Sequence, residues 1–229
     1  MNELTLIQAG PYSSVQDMGR TGQQALGVLE GGAMDRDALR IANKLAGNDE
    51  TTAALEFFMG GARLSVNTPR MVALAGSTHD SAVIYCAGGT ERPLASGLST
   101  CLMPDEELFL PPLRHANTVI LAVEGGFDLP PLFGSLSTSA NARLGGLDGR
   151  LLVDGDALPL GKATTTSRFP QMLPDTSFFI LKQDIRCVSG PQNVWFTDEA
   201  HYAFFDSEWV ITPQVNRMGY RLKGPALVH

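Results

Sequence analysis

Apolar and polar residues alternate along residues 3–8, and the same two-residue period returns in short runs at 63–66, 71–75, 82–86, 107–110 and 118–123. That period puts successive side chains on opposite faces, so each run predicts a half-buried strand and together they predict a barrel or sandwich. One segment follows a different period. Over residues 34–46, Ala38, Ile41, Ala42 and Leu45 form an apolar stripe at helical spacing. Asp35 and Asp37 suit the first turn, and Gly47 stands where a left-handed C-terminal cap belongs.

Residues 125–161 carry so many Gly, Pro, Ser and Asp that long regular elements are excluded, and an extended, ordered loop system is expected. Residues 162–176, with Thr164-Thr-Thr-Ser167 and two prolines, read as a linker. Beyond it, 178–182 and 185–188 predict a strand pair around Gln183-Asp184. Thr197 opens a short helix, and 209–212 and 220–222 predict further strands. No solenoid-type repeat or low-complexity tract interrupts this order.

Composition reinforces the β-rich reading. Hydrophobic residues make up 44% of the 229, enough for a substantial core, while 24 glycines and 14 prolines imply many turns. The formal charge of −7 argues against a phosphate-backbone partner, so no nucleic acid is expected. The longest apolar stretches are too short to span a bilayer as a helix and the N-terminus lacks a basic lead into an apolar run, which predicts a cytoplasmic protein with no membrane association. Cys86, Cys101 and Cys187 are widely separated, and the four histidines never fall in an i, i+4 pair, so free thiols and no metal site are expected.

The chemistry-bearing residues concentrate where the pattern is least regular. Gly10 to Gly22 is rich in glycine and carries Asp17 and Arg20 three residues apart. In that spacing a carboxylate can fix a guanidinium that presents its remaining donors to an anion or carbonyl, or the two can simply brace a turn. Gly31-Gly32 and Met34-Asp35 stand at the predicted helix start, where free N–H groups can receive an anion, although Asp35 itself reads first as an N-cap. Glu56, between Ala-Ala-Leu and Phe57-Phe58, reads slightly better as an exposed carboxylate between buried neighbours than as a desolvated acid or base. Ser135, Ser137 and Thr138 offer hydroxyls in a Gly-flanked loop, with no nucleophile elbow around them. Arg217, Tyr220 and Arg221 place two guanidiniums near a phenol, and on one strand Arg217 and Arg221 would share a face. No phosphate-binding Gly-x-x-x-x-Gly-Lys loop and no Ala-Met-Lys-Met biotin-attachment segment is present.

Taken in order, Gln16-Asp17-x-Gly19-Arg20-x-Gly22, Gly32-Ala33-Met34-Asp35, Ala42-Asn43, Gly47-Asn48, Leu55-Glu56, Gly125-Gly126-x-Asp128, Gly134-Ser135-x-Ser137-Thr138, Leu144-Gly-Gly146, Gly190-Pro-Gln192 and Arg217-Met-Gly-Tyr-Arg-Leu222 resemble the landmarks of the biotin-dependent carboxyltransferase-like family. That family includes the C-type component of 5-oxoprolinase, the Kip antagonist and the carboxyltransferase part of urea carboxylase. The resemblance implies cyclophilin-like β-barrel lobes, the first over 1–163 and the start of a second over 176–229. The second lobe is expected to be incomplete, because a later Gln-Thr-x-Gly-Gly-Tyr-Pro-like signature of the family is absent. It further implies an ATP-dependent opening of 5-oxoproline to glutamate together with a Kip-inhibitor-like B-type partner and a separate A-type partner, ATP entering through the complex. The alternatives it carries are biotin-dependent carboxyl transfer to urea or a related amide, and a non-enzymatic binding protein that regulates a kinase inhibitor. Carried onto this chain, the resemblance points to Asp17, Arg20, Glu56 and Arg217 as catalytic and to Gln16, Gly32, Met34, Asp35, Ser135, Tyr220 and Arg221 as substrate contacts.

Overall fold

A computed structural model describes residues 2–163, 169–180, 185–217 and 219–228. The chain divides into two compact units, Met1–Ile180 and Leu181–His229.

In the first unit the strands are β1 (Glu3–Gln8), β2 (Tyr12–Gln16), β3 (Ala54–Phe58), β4 (Gly60–Val66), β5 (Arg70–Ala75), β6 (Ser81–Tyr85), β7 (Glu91–Ala95), β8 (Leu98–Leu102), β9 (Glu107–Pro112), β10 (Thr118–Val123) and β11 (Ala157–Pro159). They form two antiparallel sheets, ordered β11-β1-β4-β9-β6-β7 and β2-β3-β10-β5-β8. All six runs with a two-residue period are strands, and the mainly β expectation holds. Leu4, Leu6, Leu55, Phe57, Leu64, Val72, Leu74, Ile84, Leu108, Val119, Leu121 and Val123 fill one continuous core, each worth about 1.5–3 kcal/mol of burial.

Strands β3, β5 and β10 of the five-stranded sheet are buried on both faces. The sheet's outer face carries α1 (Arg36–Ala46), whose Ala38, Leu39, Ala42, Leu45 and Ala46 lie on Ala54, Ala73, Ala75, Ile120 and Ala122. Because alternate residues of β3, β5 and β10 serve the two cores, these strands read as continuous apolar runs, and β3 gave no alternating signal. Asp35 caps α1 by accepting from the Ala38 N–H at 2.8 Å, and Gly47 closes it with φ 82°. Asp35→Ala is expected to cost about 1 kcal/mol, read as a lower midpoint in thermal unfolding. Asn43 and Asn48 fasten the end of α1: Asn48 Nδ2 donates to the Val123 carbonyl at 2.9 Å, and its Oδ1 accepts from Gly125 N–H at 2.8 Å.

Two expectations are corrected by hydrogen bonding. Residues 12–16, expected to be irregular, form β2, paired with β3 from Tyr12↔Phe58 to Gln16↔Ala54. Residues 171–173, within the expected linker, are tied to the first unit, since Gln171 N donates to Ser99 Oγ at 2.8 Å and Leu173 N to Gly97 O at 2.8 Å. Thr164-Thr-Thr-Ser167 lies outside the described residues.

In the second unit, Thr197 caps α2 (Asp198–Asp206) as its sequence predicts, and β12 (Val210–Asn216) pairs with β13 (Gly219–Lys223). The expected strand pair before them is absent among the described residues. Ser177–Phe179 is a single 3-10 turn, and 185–188 pair with nothing as a strand. The Gln183-Asp184 turn lies outside the described residues.

Candidate functional site

The first cluster grows from the end of β2. In register, Ser14 faces Glu56 and Gln16 faces Ala54, and Ala54 packs under α1, so Ser14, Gln16 and Glu56 share the helix-side face of the sheet. All three are buried, Glu56 to 1% exposure, which overturns the expectation of an exposed carboxylate. The segment that leads into α1 closes over it. Glu56 Oε2 accepts from the Met34 N–H at 2.7 Å, just before the Asp35 cap. Gln16 Nε2 donates to Ser14 Oγ at 2.9 Å and to the Thr138 carbonyl at 3.1 Å.

Past Gln16 the chain turns, and Asp17 becomes the organiser of the loop that contains Ser135. Its Oδ1 accepts from Gly19 N–H at 2.8 Å, Ser135 Oγ at 2.7 Å and Ser137 Oγ at 2.6 Å, while Oδ2 accepts from Leu136 N–H at 2.6 Å. Burial pushes the Asp17 carboxyl up, but the donors from Ser135, Ser137, Gly19 and Leu136 outweigh it and hold it below its ordinary 3.8. Asp17 is therefore an anion at neutral pH.

Arg20 is 1% exposed. Its Nη2 donates to the Ser137 carbonyl, and its Nε reaches the Leu132 carbonyl at 3.5 Å. Asp17 does not grip Arg20 directly. The two meet through Ser137, whose hydroxyl serves the carboxylate and whose carbonyl serves the guanidinium. Nη1 is buried with no hydrogen-bond partner among the described residues. Glycines wall this head group: a Cβ at Gly145 would overlap the Ser137 carbonyl and come within 2.7 Å of Nη2, and one at Gly31 would stand 3.4 Å from Nη1.

The strand of chain from Glu30 to Met34 stitches these groups together. Arg20 N donates to Glu30 O at 2.8 Å, Ala33 N to Asp17 O at 2.9 Å, and Met34 N to Glu56. The amides of Ala33 and Met34, expected to be open to a ligand, are thus committed internally. Asp35 is occupied as a cap, and Ser135 is occupied between Asp17 and the Ser137 N–H. Gln16, Asp17, Arg20, Gly32, Met34, Asp35, Glu56 and Ser135 are brought into one region. Sequence reasoning named Gly31 only with Gly32 as part of the helix start, passed over Gly145 as a site residue, and named Ser137 without seeing its part as the link; the signal available was the Ser-x-Ser spacing and the paired glycines.

Arg217, Tyr220 and Arg221 belong to the second unit. The hairpin reverses between Asn216 and Gly219, so Arg217 sits in the connection and does not share a strand face with Arg221. Arg221 Nη1 donates to Gln214 Oε1 at 2.8 Å. A hollow of about 540 Å³ in this unit is lined by Phe196, Phe204, Phe205, Leu227, His201 and Cys187 among others, and by none of these three candidates. Among the described residues no group of three or more His, Cys, Asp or Glu could hold a metal, and no helix is long and apolar enough to cross a membrane.

The family description "Carboxyltransferase domain, subdomain A and B" matches residues 26–229. The chain belongs to this carboxyltransferase domain family. It is 38% identical to the C-type component of 5-oxoprolinase from Escherichia coli (strain K12) over 224 residues, 98% of this chain and 69% of that protein. It is 30% identical to urea amidolyase of Lachancea kluyveri over 230 residues, 94% of this chain and 12% of that protein. The crystal structure of the K. lactis urea amidolyase superposes with a TM-score of 0.82 at 28% identity, covering 99% of this chain and 14% of that one. The Asp17–Ser135–Ser137–Arg20 network of this family member joins two of its sequence landmarks, Gln16 to Gly22 and Gly134 to Thr138, across more than a hundred residues.

Proposed function

We propose that the chain acts as the C-type component of an ATP-dependent 5-oxoprolinase, opening the lactam of 5-oxoproline to glutamate together with A- and B-type partner proteins. The observation that carries this reading is the 38% identity over nearly the whole chain to a protein of that name. Opening a lactam adds water across the C–N bond, with negative charge gathering on the carbonyl oxygen before the ring nitrogen leaves. In this proposal Arg20 and Arg217 hold negative charge, Asp17 shapes the loop that positions Arg20, and Glu56 takes and returns the proton of the attacking water. Gln16, Gly32, Met34, Asp35, Ser135, Tyr220 and Arg221 line or brace the substrate. ATP is used by the assembled complex.

The urea amidolyase relatives favour a second reading, carboxyl transfer from carboxybiotin to urea or a related amide. The deciding experiment is ADP release from ATP by the chain mixed with A- and B-type partners, with each component omitted in turn. Release that needs both 5-oxoproline and this chain is expected. Release that needs urea and a biotin carboxylase instead overturns the first reading in favour of the second, and binding to a B-type partner with no turnover overturns both.

A further inference from the structure

We infer that Arg20 is a receptor for a carboxylate, reached when the exposed strap around Gly31 lifts. A guanidinium stays charged at any physiological pH and presents its donors in a planar fork suited to carboxylates. Buried charges in proteins are ordinarily paired. Among the described residues, Arg20 has no carboxylate at ion-pair distance. Among those residues the guanidinium meets the neutral carbonyls of Leu132 and Ser137, and Nη1 has no hydrogen-bond partner. Asp17, the nearby anion, has its charge taken up by Ser135, Ser137, Gly19 and Leu136. A neutral carbonyl would satisfy the N–H and leave the positive charge uncompensated, whereas a carboxylate oxygen answers both.

The same geometry says where the ligand enters. Gly31 is exposed, has φ 66°, and directs its missing Cβ at Nη1. On one side of it, Leu29 is 60% exposed, and glycines at 27, 31 and 32 all have positive φ. The strap is clasped by Arg20 N to Glu30 O at 2.8 Å and by the Arg36–Glu30 ion pair at 2.7 Å, which is itself half-exposed. The exposed Gly31 carries no side chain and stands beside the unpartnered N–H, so in this proposal lifting the strap at this point opens the way to it.

This rests on the lactam reading only for which carboxylate arrives, since 5-oxoproline carries one beside its ring. The test follows the Arg20 guanidinium Nε–H signal by NMR in the full chain during titration with acetate, with 2-pyrrolidinone, a neutral lactam, and with 5-oxoproline. A saturable shift with acetate and 5-oxoproline, absent with 2-pyrrolidinone, is expected. Gly31→Ala, which puts a methyl against Nη1, is expected to weaken the acetate response at least tenfold while the rest of the spectrum stays folded. Arg36→Ala, which opens the clasp, is expected to quicken hydrogen exchange at the Arg20 backbone amide. No saturable shift with acetate, or an equal shift with 2-pyrrolidinone, overturns the carboxylate receptor. An unweakened response in folded Gly31→Ala overturns the entry route. A shift with acetate but none with 5-oxoproline leaves the receptor standing and removes the 5-oxoprolinase reading instead.

Discussion

Glu56→Gln is expected to lower turnover of the assembled enzyme by about a hundredfold or more while leaving the chain folded. The substitution keeps the side chain's size and an oxygen able to accept the Met34 N–H, the 2.7 Å contact that fixes Glu56 in place. What it removes is the capacity to take a proton, and general acid–base assistance of this kind contributes roughly 10²–10⁴-fold. Steady-state kinetics and thermal unfolding of the same preparation separate the two roles open to a buried carboxylate. Turnover within about threefold of the parent with a lowered unfolding midpoint would mean that Glu56 only anchors the start of α1.

Asp17→Ala is expected to be the most damaging single change to stability. It leaves two hydroxyls and two backbone N–H groups around a missing anion, and hydrogen bonds to charged groups are worth about 1.5–3 kcal/mol each before partial exposure and non-additivity reduce the sum. A loss of about 3 kcal/mol is the expected total, which lowers the midpoint of a chain this size by about 6–12 °C. The parent should also show an acid limb that the variant lacks. Because the folded carboxyl lies below its ordinary 3.8, its contribution is fully present above that value and is lost as pH falls through and below it. Unfolding followed from pH 7 to pH 2 on both proteins tests this. Parallel curves over that interval would show that Asp17 does not carry the linkage.

What could be read from the sequence divides along physical lines. Strands whose two faces meet different surroundings announce themselves, and β4, alternately buried and half-exposed along its length, is such a case. β3 is buried at every position, Leu55 and Phe57 in one core and Ala54 in the other, so it carries no alternation to read. The site repeats the division. Asp35 and Thr197 were legible as caps because capping is decided within three residues. The fate of Glu56 was not, since the Met34 N–H that meets it comes from a segment 22 residues away in sequence. The use of Ser137 to join Asp17 and Arg20 was hidden for the same reason, its partners lying some 120 residues away. The Asn43 and Asn48 landmarks prove architectural, holding the end of α1 to the strand that leads into Gly125.

The alanines under α1 have a consequence for chemistry. Ala54, Ala73, Ala75 and Ala122 present only methyl groups to the helix, and Ala38, Ala42 and Ala46 answer from its side, so the two backbones approach closely. The height of the helix above the sheet is thereby set by the smallest side chains that can form a packed layer. Met34 and Asp35 ride on the end of that helix, and Glu56 stands in the sheet below, so the 2.7 Å contact between them is a gap held by a spacer. A valine in place of any of these alanines would act as a shim, tilting the helix and opening the Met34 contact from a position that touches no reacting atom. Evolutionary tuning of the carboxylate can thus proceed from the layer between helix and sheet, with every residue of the site unchanged.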